Sequence, residues 1–475
     1  MKRNALTYLL LPFLLALLVT ACKDDTLPAS PAEEEEAGSG VYVSVVVNTG
    51  GSNASRVPTP GEDGDLPKQP GTGDENMVHD LNVFFFQTSD GKGLNTSDNA
   101  EEIELIQVYF SNLTPSPSGA ITYYATPTQE VEGLYINETY EVLTVVNAGE
   151  KFNSTNLADL RTHVVTDAIE TDIDNHLRFL MASAGPKVSN ITIIANNSRY
   201  NPSIVSVDVE RLAARVDYKM QSEYSIGETG DKVVIQSATL VNKHETHPYV
   251  FKRVTNGTNV SDIPVYLGDE TVVNDIASNY VLDPQTVNMT DRIYLLQYEN
   301  ILNTNPEPWL TVTADETYHA LDYTQENVVT AEYVVSNMSR YCTGVVFKAQ
   351  YTPVGMSAGT SFYWYAGEAY QDLKAVKKVM GNNIDLNENN YPTYGVRYYE
   401  NGICYYTYWI KHADDGNPDV ISPMEYAIVR NNIYQLQINS ISKIGGNTPQ
   451  DEVDLNIRIY VCAWEDIMTS DIEWK

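Results

Sequence analysis

Two short runs have residue types and spacing that could do chemistry: His244-Glu245-Thr246-His247 and Asp414-Asp415-Gly416-Asn417. A helix bearing His-Glu-x-x-His offers zinc two imidazoles from one face, with the glutamate as general base. Here the second histidine comes one position early and the flanks are strand-like, so the run reads as an exposed loop or strand edge. The aspartate run is acidic enough to touch calcium but lacks the spaced ligands of a calcium loop, and it reads as a solvated turn. No Gly-x-Ser-x-Gly elbow, P-loop or dinucleotide fingerprint occurs. A glycosidase needs two carboxylates flanking one bond, and nothing in the sequence singles out such a pair. No catalytic, cofactor-binding or metal-ligating residue is thus picked out, and function must come from assembly or binding or stay hidden in the sequence.

The four cysteines divide into two kinds. Cys342, Cys404 and Cys462 lie in apolar strand-like runs and read as buried free thiols, with at most one disulfide among them. Cys22 differs. Lys2 and Arg3 precede an apolar run over residues 6–20, and Val19-Thr20-Ala21-Cys22 fits a bacterial lipobox. The run is shorter than the roughly 20 residues of a spanning helix and has signal-peptide flanks. Residues 1–21 thus read as a lipoprotein signal peptide and Cys22 as the lipidated first residue, anchored by its acyl chains. The alternative is a plain signal peptide with an incidental cysteine. Lys23-Asp24-Asp25 resembles the export signal of surface lipoproteins of the Bacteroidia, which implies the outer face of the outer membrane. Residues 22–40, with prolines, glycines and the acidic run 33–36, read as a disordered tether that could reach roughly 60 Å at about 3.3 Å per residue.

The rest must position whatever function remains. The precursor has 475 residues, 33 of them tyrosine, and a formal charge of −33. That balance excludes nucleic acid, which needs a basic stripe, and suits a self-repelling surface protein. Abundant Val, Ile, Thr and Tyr favour strands. Alternation places strands at residues 41–47, 81–87, 104–110, 121–125, 140–147, 188–195 and 204–209. Further strands are expected at 216–221, 232–241, 341–351, 403–410, 433–441 and 453–463. Between 156 and 181 the pattern is helical, with Thr166 or Asp167 as cap. Many short strands separated by turn residues imply β-sandwiches. A domain boundary is set near Ser203, by analogy more than by composition, giving 41–203 and 204–475.

Two segments suit assembly. Arg56 sits in a polar Gly/Pro-rich loop over 49–76, the kind that proteases cut. Cleavage between Arg56 and Val57 would free 41–56, including a strand whose Val41, Val43, Val45 and Val47 share one face; alternatively Arg56 is a plain loop arginine. At the other end, Val453, Leu455, Ile457, Ile459 and Val461 alternate with polar neighbours, as expected of a strand that could complete another subunit's sheet. Full burial is worth roughly 1.5–3 kcal/mol per side chain, so exchanging the four valines for these five is neutral or downhill. The plain alternative is a strand within its own sandwich.

Val429-Arg430-Asn431-Asn432-Ile433-Tyr434, within residues 426–441 and closing in Ile441-Ser442-Lys443-Ile444-Gly445, resembles the signature of the Bacteroidia fimbrillins, the type V pilins. The resemblance is closest to the minor-fimbrium fimbrillin. Glu210-Arg211-Leu212-Ala213-Ala214-Arg215 resembles that family's domain junction. Residues 346–353 and 405–410 have counterparts there too, and 453–464 resemble the last strand, which ends in tryptophan. Ala463 stands where the family usually has proline. The resemblance implies two transthyretin-like β-sandwich domains, surface export as a lipoprotein, and a trypsin-like surface protease cutting after Arg56. It also implies C-terminal strand donation, within 453–475, into the groove of a neighbouring copy. The expected function is a fimbrial shaft subunit serving adhesion or biofilm formation, located at the cell outer membrane and then in the extracellular fimbrium. Its partners would be other copies, related subunits and a host or bacterial receptor. The alternatives are a tip or anchor subunit, or a surface glycan-binding lipoprotein. The last would need an aromatic platform or a carboxylate pair in a cleft.

Overall fold

Alternating valines dictate the first strand, Val41–Asn48, and the same period recurs down the chain. The structure is a computed structural model. It describes residues 40–49, 68–111, 113, 123–165, 167–171, 177–185, 188–227, 230–244, 248–256, 264–267, 279–286, 292–381, 383–417, 419–422, 424–451, 453 and 455–464. Cys22, the tether as far as residue 39, Arg56 and Val57 lie outside these residues, as do Glu245, Thr246 and His247.

The protein is mainly β. One sheet runs, in spatial order, Ile106–Phe110, Leu81–Phe86, Thr139–Val146, Met181–Ser183, Ser203–Arg211, Val41–Asn48 and Tyr123–Ala125. Ser189–Thr192 pairs beside Thr139–Val146, and Gln129–Val131 beside the first strand. Leu81, Val83, Phe85, Val142 and Val146 from one half share a core with the four valines and Val205, Val207 and Val209 from the other. The sheet thus folds over on itself, with the short strand Met181–Ser183 joining its halves.

A second sandwich follows. A four-stranded sheet (His319–Gln325, Ala213–Lys219, Asn432–Ser440, Asn456–Ala463) faces a five-stranded one (Tyr224–Ile226, Asp231–Val241, Gly344–Thr352, Ile403–Trp409, with Leu310–Thr311 beside Asp231–Val241). Val216, Tyr434 and Leu436 from the first meet Val233, Phe347, Cys404 and Tyr406 from the second in one core. An outlying three-stranded sheet, Phe362–Tyr365, Glu368–Tyr370 and Arg397–Tyr399, carries the helix Leu373–Met380. Among the described residues, sheet membership changes over at Leu212: Ser203–Arg211 pairs with the strands before it, and Ala213–Lys219 with those after.

The helical expectation over 156–181 holds only for Leu157–Thr162. Its cap is Asn156, whose side chain and that of Asp159 form a reciprocal capping box, rather than Thr166 or Asp167. Beyond it, Ile169–Thr171 pairs with Leu177–Phe179, and Met181–Ser183 joins the main sheet. Pairing outweighs a period that the run of His163, Val164 and Val165 already weakens.

Candidate assembly site

The first strand lies inside its sheet, not at an edge. Val43–Asn48 runs parallel to Ser203–Asp208. On the other flank it is antiparallel to Tyr123–Ala125 and Gln129–Val131. Thr126 spans the gap between those two short strands: its hydroxyl accepts from the Val45 N–H at 2.9 Å, and its carbonyl from the Ser44 hydroxyl at 2.9 Å. On the parallel flank, ahead of Val43, the Asn197 amide meets the Tyr42 backbone, accepting from its N–H and donating to its carbonyl, both at 2.7 Å. Val43, Val45 and Val47 are fully buried and Val41 nearly so.

The terminal strand, Asn456–Ala463, is an edge strand held by Asn432–Ser440 alone within its sheet. Ile457, Ile459 and Val461 are half-buried, while Val453 and Leu455 just ahead of it are buried. It ends in Trp464, fully buried against Phe179 at 5.6 Å and stacked on Tyr323 at 6.0 Å. The Trp464 indole N–H has no hydrogen-bond partner among the described residues. A buried unpaired donor costs about 1–3 kcal/mol, so the seat is not fully optimised.

One guanidinium joins these two strands. Arg211, 1% exposed, sits 4.7 Å over the Trp464 ring. It donates to the Thr49 carbonyl at 3.2 Å, just past the first strand, and to the Trp464 carbonyl at 3.2 Å. Further acceptors are the Glu75 carbonyl at 3.0 Å, the Asn431 side-chain oxygen at 3.3 Å and the Asn76 side chain. Burial drags Arg211 down to about 10, with Glu75 pulling the other way, and it stays charged at neutral pH. Beside it, Arg215 donates to both Glu75 carboxylate oxygens at 3.0 Å and to Asp217, while the Tyr323 hydroxyl donates to Glu75 at 2.6 Å. Burial works against the Glu75 carboxylate, but Arg215, Tyr323 and the Thr72 N–H outweigh it and hold the group below the usual carboxylate range. The chain leaving the Arg56 loop also meets the terminal strand, through the Gln69 N–H and the Ala463 carbonyl at 2.9 Å.

The Val429-Arg430-Asn431-Asn432 run turns the chain into this site. Asn431 is left-handed (φ 56°), a conformation asparagine tolerates. Its N–H donates to the Ala213 carbonyl at 2.8 Å, its carbonyl accepts from the Trp464 N–H at 3.2 Å, and its side chain accepts from the Arg211 N–H at 3.2 Å. Arg430, fully buried, forks onto Glu326 at 2.6 and 2.8 Å and onto the Tyr249 and Val250 carbonyls. The family-like motif and the junction arginine thus converge. Sequence reasoning missed Glu75, Asn76, Phe179 and Tyr323, which have no motif around them.

His244 is buried, not exposed: Nδ1 lies 2.7 Å from the Glu326 carbonyl and Nε2 lies 3.2 Å from the Gln285 side-chain oxygen. Asp414 and Asp415 cap their own turn by accepting from the Gly416 and Asn417 N–H groups. Among the described residues no cluster of ligands could hold a metal. Cys342, Cys404 and Cys462 are free and buried.

Residues 397–469, which hold the motif and the terminal strand, match the family described as major fimbrial subunit protein type IV, fimbrillin, C-terminal. That region of the chain is thus similar to the C-terminal part of the fimbrillins, which are fimbrial subunit proteins. Among solved structures, the chain is similar to a fimbrilin from Porphyromonas gingivalis W83 (12% identity, covering 91% of this chain and 99% of that one, TM-score 0.42). The tip fimbrial protein of Porphyromonas gingivalis, truncated at its C terminus, gives 11% identity over 89% and 99%, with a TM-score of 0.38. A fimbrial assembly protein from Parabacteroides distasonis ATCC 8503 gives 10% over 85% and 93%, with a TM-score of 0.33. No curated protein matches the chain.

Proposed function

We propose that the chain is a structural shaft subunit of a fimbrium and not an enzyme. It is exported as a surface lipoprotein on Cys22 and held at the outer membrane by that lipid. A trypsin-like surface protease cuts between Arg56 and Val57. The segment 41–56 leaves, and the terminal strand of another copy, carrying Val453, Leu455, Ile457, Ile459 and Val461, enters the vacated groove. Repetition gives an extracellular fimbrium that contacts a host or bacterial surface. The two units of this reading are transthyretin-like sandwiches, and the changeover of pairing at Leu212 supports a division that leaves Ser203–Arg211 with the first.

The observation that carries the proposal is the placing of the first strand. It is interior to its sheet, while the terminal strand of the same length, 8 residues, lies at an edge. Burying four valines is worth about 6–12 kcal/mol, comparable with the total stability of a typical domain, about 5–15 kcal/mol. A chain that loses this strand must fill the gap with another. The buried Trp464 favours one second reading, a tip subunit that keeps its own terminal strand.

The test is limited trypsin treatment of protein starting at Lys23, followed by sequencing of the new N terminus and electron microscopy. The expected product starts at Val57 and forms filaments, and Arg56→Ala blocks both. An Arg56→Ala protein that still sheds its first strand and polymerises refutes the cleavage site. A cleaved protein that stays monomeric turns the assignment to the tip.

A further inference from the structure

Just ahead of the terminal strand, with Val453 in its lining, a cleft of about 650 Å³ opens between the outlying three-stranded sheet and the second sandwich. That volume is within the usual range of ligand sites, about 300–1,000 Å³. Trp364 and Arg397, cross-strand partners in the outlying sheet, form one wall. Lys443 and Asp451 stand on the other, and Tyr351 and Val453 from the sandwich core lie between them. The walls are held in place. The Tyr406 hydroxyl donates to the Lys443 carbonyl at 3.1 Å and the Tyr399 hydroxyl to the Gly445 carbonyl at 2.8 Å, fixing the loop of Lys443. Tyr351 meets the Trp364 ring at 82° and 5.8 Å, and its hydroxyl is tied to Asp231 at 2.7 Å.

The chemistry of this lining selects a ligand class. Trp364 is half-buried and lines the cleft, so part of an indole is offered to a ligand. The C–H bonds of a pyranose face complement the negative face of such a ring. Arg397 and Lys443 donate hydrogen bonds, and Asp451 accepts them, which suits hydroxyls that do both. Asp231 brings the carboxylates to two, balancing the two cations, so the cleft has no net charge with which to hold an anion. The field of a chain at −33 opposes an anion further. An acyl chain would leave these charged groups desolvated and unpaired.

We infer that this cleft binds a neutral saccharide, with Trp364 as the stacking platform and Arg397, Lys443 and Asp451 as hydroxyl partners. The inference names the chemistry of a surface contact without resting on strand exchange. It is tested on unpolymerised Arg56→Ala protein, so that failure of assembly and failure of binding are separate results.

The probes are neutral hexasaccharides of glucose, mannose and galactose, and sialylated and sulfated glycans of similar length. Binding is followed by saturation-transfer NMR and calorimetry. At least one neutral hexasaccharide is expected to bind, with Trp364→Ala weakening it about tenfold or more and Trp364→Phe retaining most of the affinity. Ser442→Trp, at an exposed rim position, fills the cleft without disturbing the core, and it abolishes binding even where Trp364→Ala fails to fold. Absence of neutral-saccharide binding at ~10 mM, tighter binding of the anionic glycans, or affinity unchanged in folded Trp364→Ala or Ser442→Trp each overturns the inference.

Discussion

Replacing Arg211 with methionine tests whether one side chain ties the two ends of the chain together. Methionine keeps an unbranched apolar stem and removes the fork. Five acceptors then lose a donor: the carbonyls of Thr49, Glu75 and Trp464, and the side chains of Asn431 and Asn76. Removing one member of a buried charged network costs about 3–5 kcal/mol. Some of this is regained, because burial already disfavours the Arg211 cation, and Glu75 keeps Arg215 and Tyr323. The expected loss is therefore at the lower end, about 3 kcal/mol. Hydrogen exchange read by mass spectrometry localises it. Peptides covering the end of the first strand and peptides covering 456–464 should both exchange faster, by about tenfold or more, while peptides of the five-stranded sheet change little. An increase at one end only, or none at either, refutes the coupling. Arg211→Lys should recover little, since a single ammonium cannot span acceptors placed around a planar fork.

Two further outcomes follow from buried groups. Burial raises the Cys404 thiol to about 12 and the Cys462 thiol to about 11, and pushes Cys342 up as well. A protein starting at Lys23 should therefore resist a disulfide reagent at about pH 8 until it is unfolded; rapid labelling of the native state would contradict this. Burial lowers His244 below 6.5, with Asp283 opposing and Arg292 assisting, so the folded state favours the neutral ring. The stability it contributes is complete above the unfolded value of 6.5 and is lost as pH falls through the lower folded value. Denaturant unfolding from neutral to mildly acid pH should show this decline, and His244→Gln should flatten it; an unchanged slope counts against the assignment.

Periodicity made the strands legible, because alternation of apolar residues is a local property. The valines of the first strand and the terminal Ile457, Ile459 and Val461 could be placed on one face without knowledge of their neighbours. The position of each strand in its sheet could not be read this way. That the first strand is interior and the last at an edge depends on partners far away in the chain. The hub was half legible. Arg211 and Asn431 stood out through resemblance, but Glu75 lies 140 residues from Arg215, its ion-pair partner, in a stretch with no pattern. His244 looked exposed because a polar run says nothing about what folds over it. The helical pattern over 156–181 failed past Thr162 because strand pairing, invisible in a window, competes for the same residues.

The parallel register of the first strand has a consequence for folding order. Its Asn48 meets Asp208, 160 residues later, and on the other flank its earliest strand partner in sequence is Tyr123. A parallel neighbour cannot be reached by a hairpin, and pairings this distant in sequence form slowly. The first strand to be synthesised is therefore among the last to pair. The remainder of its sheet must collapse around a slot that stands open for a time, and during folding the protein passes through a state able to accept a strand from elsewhere.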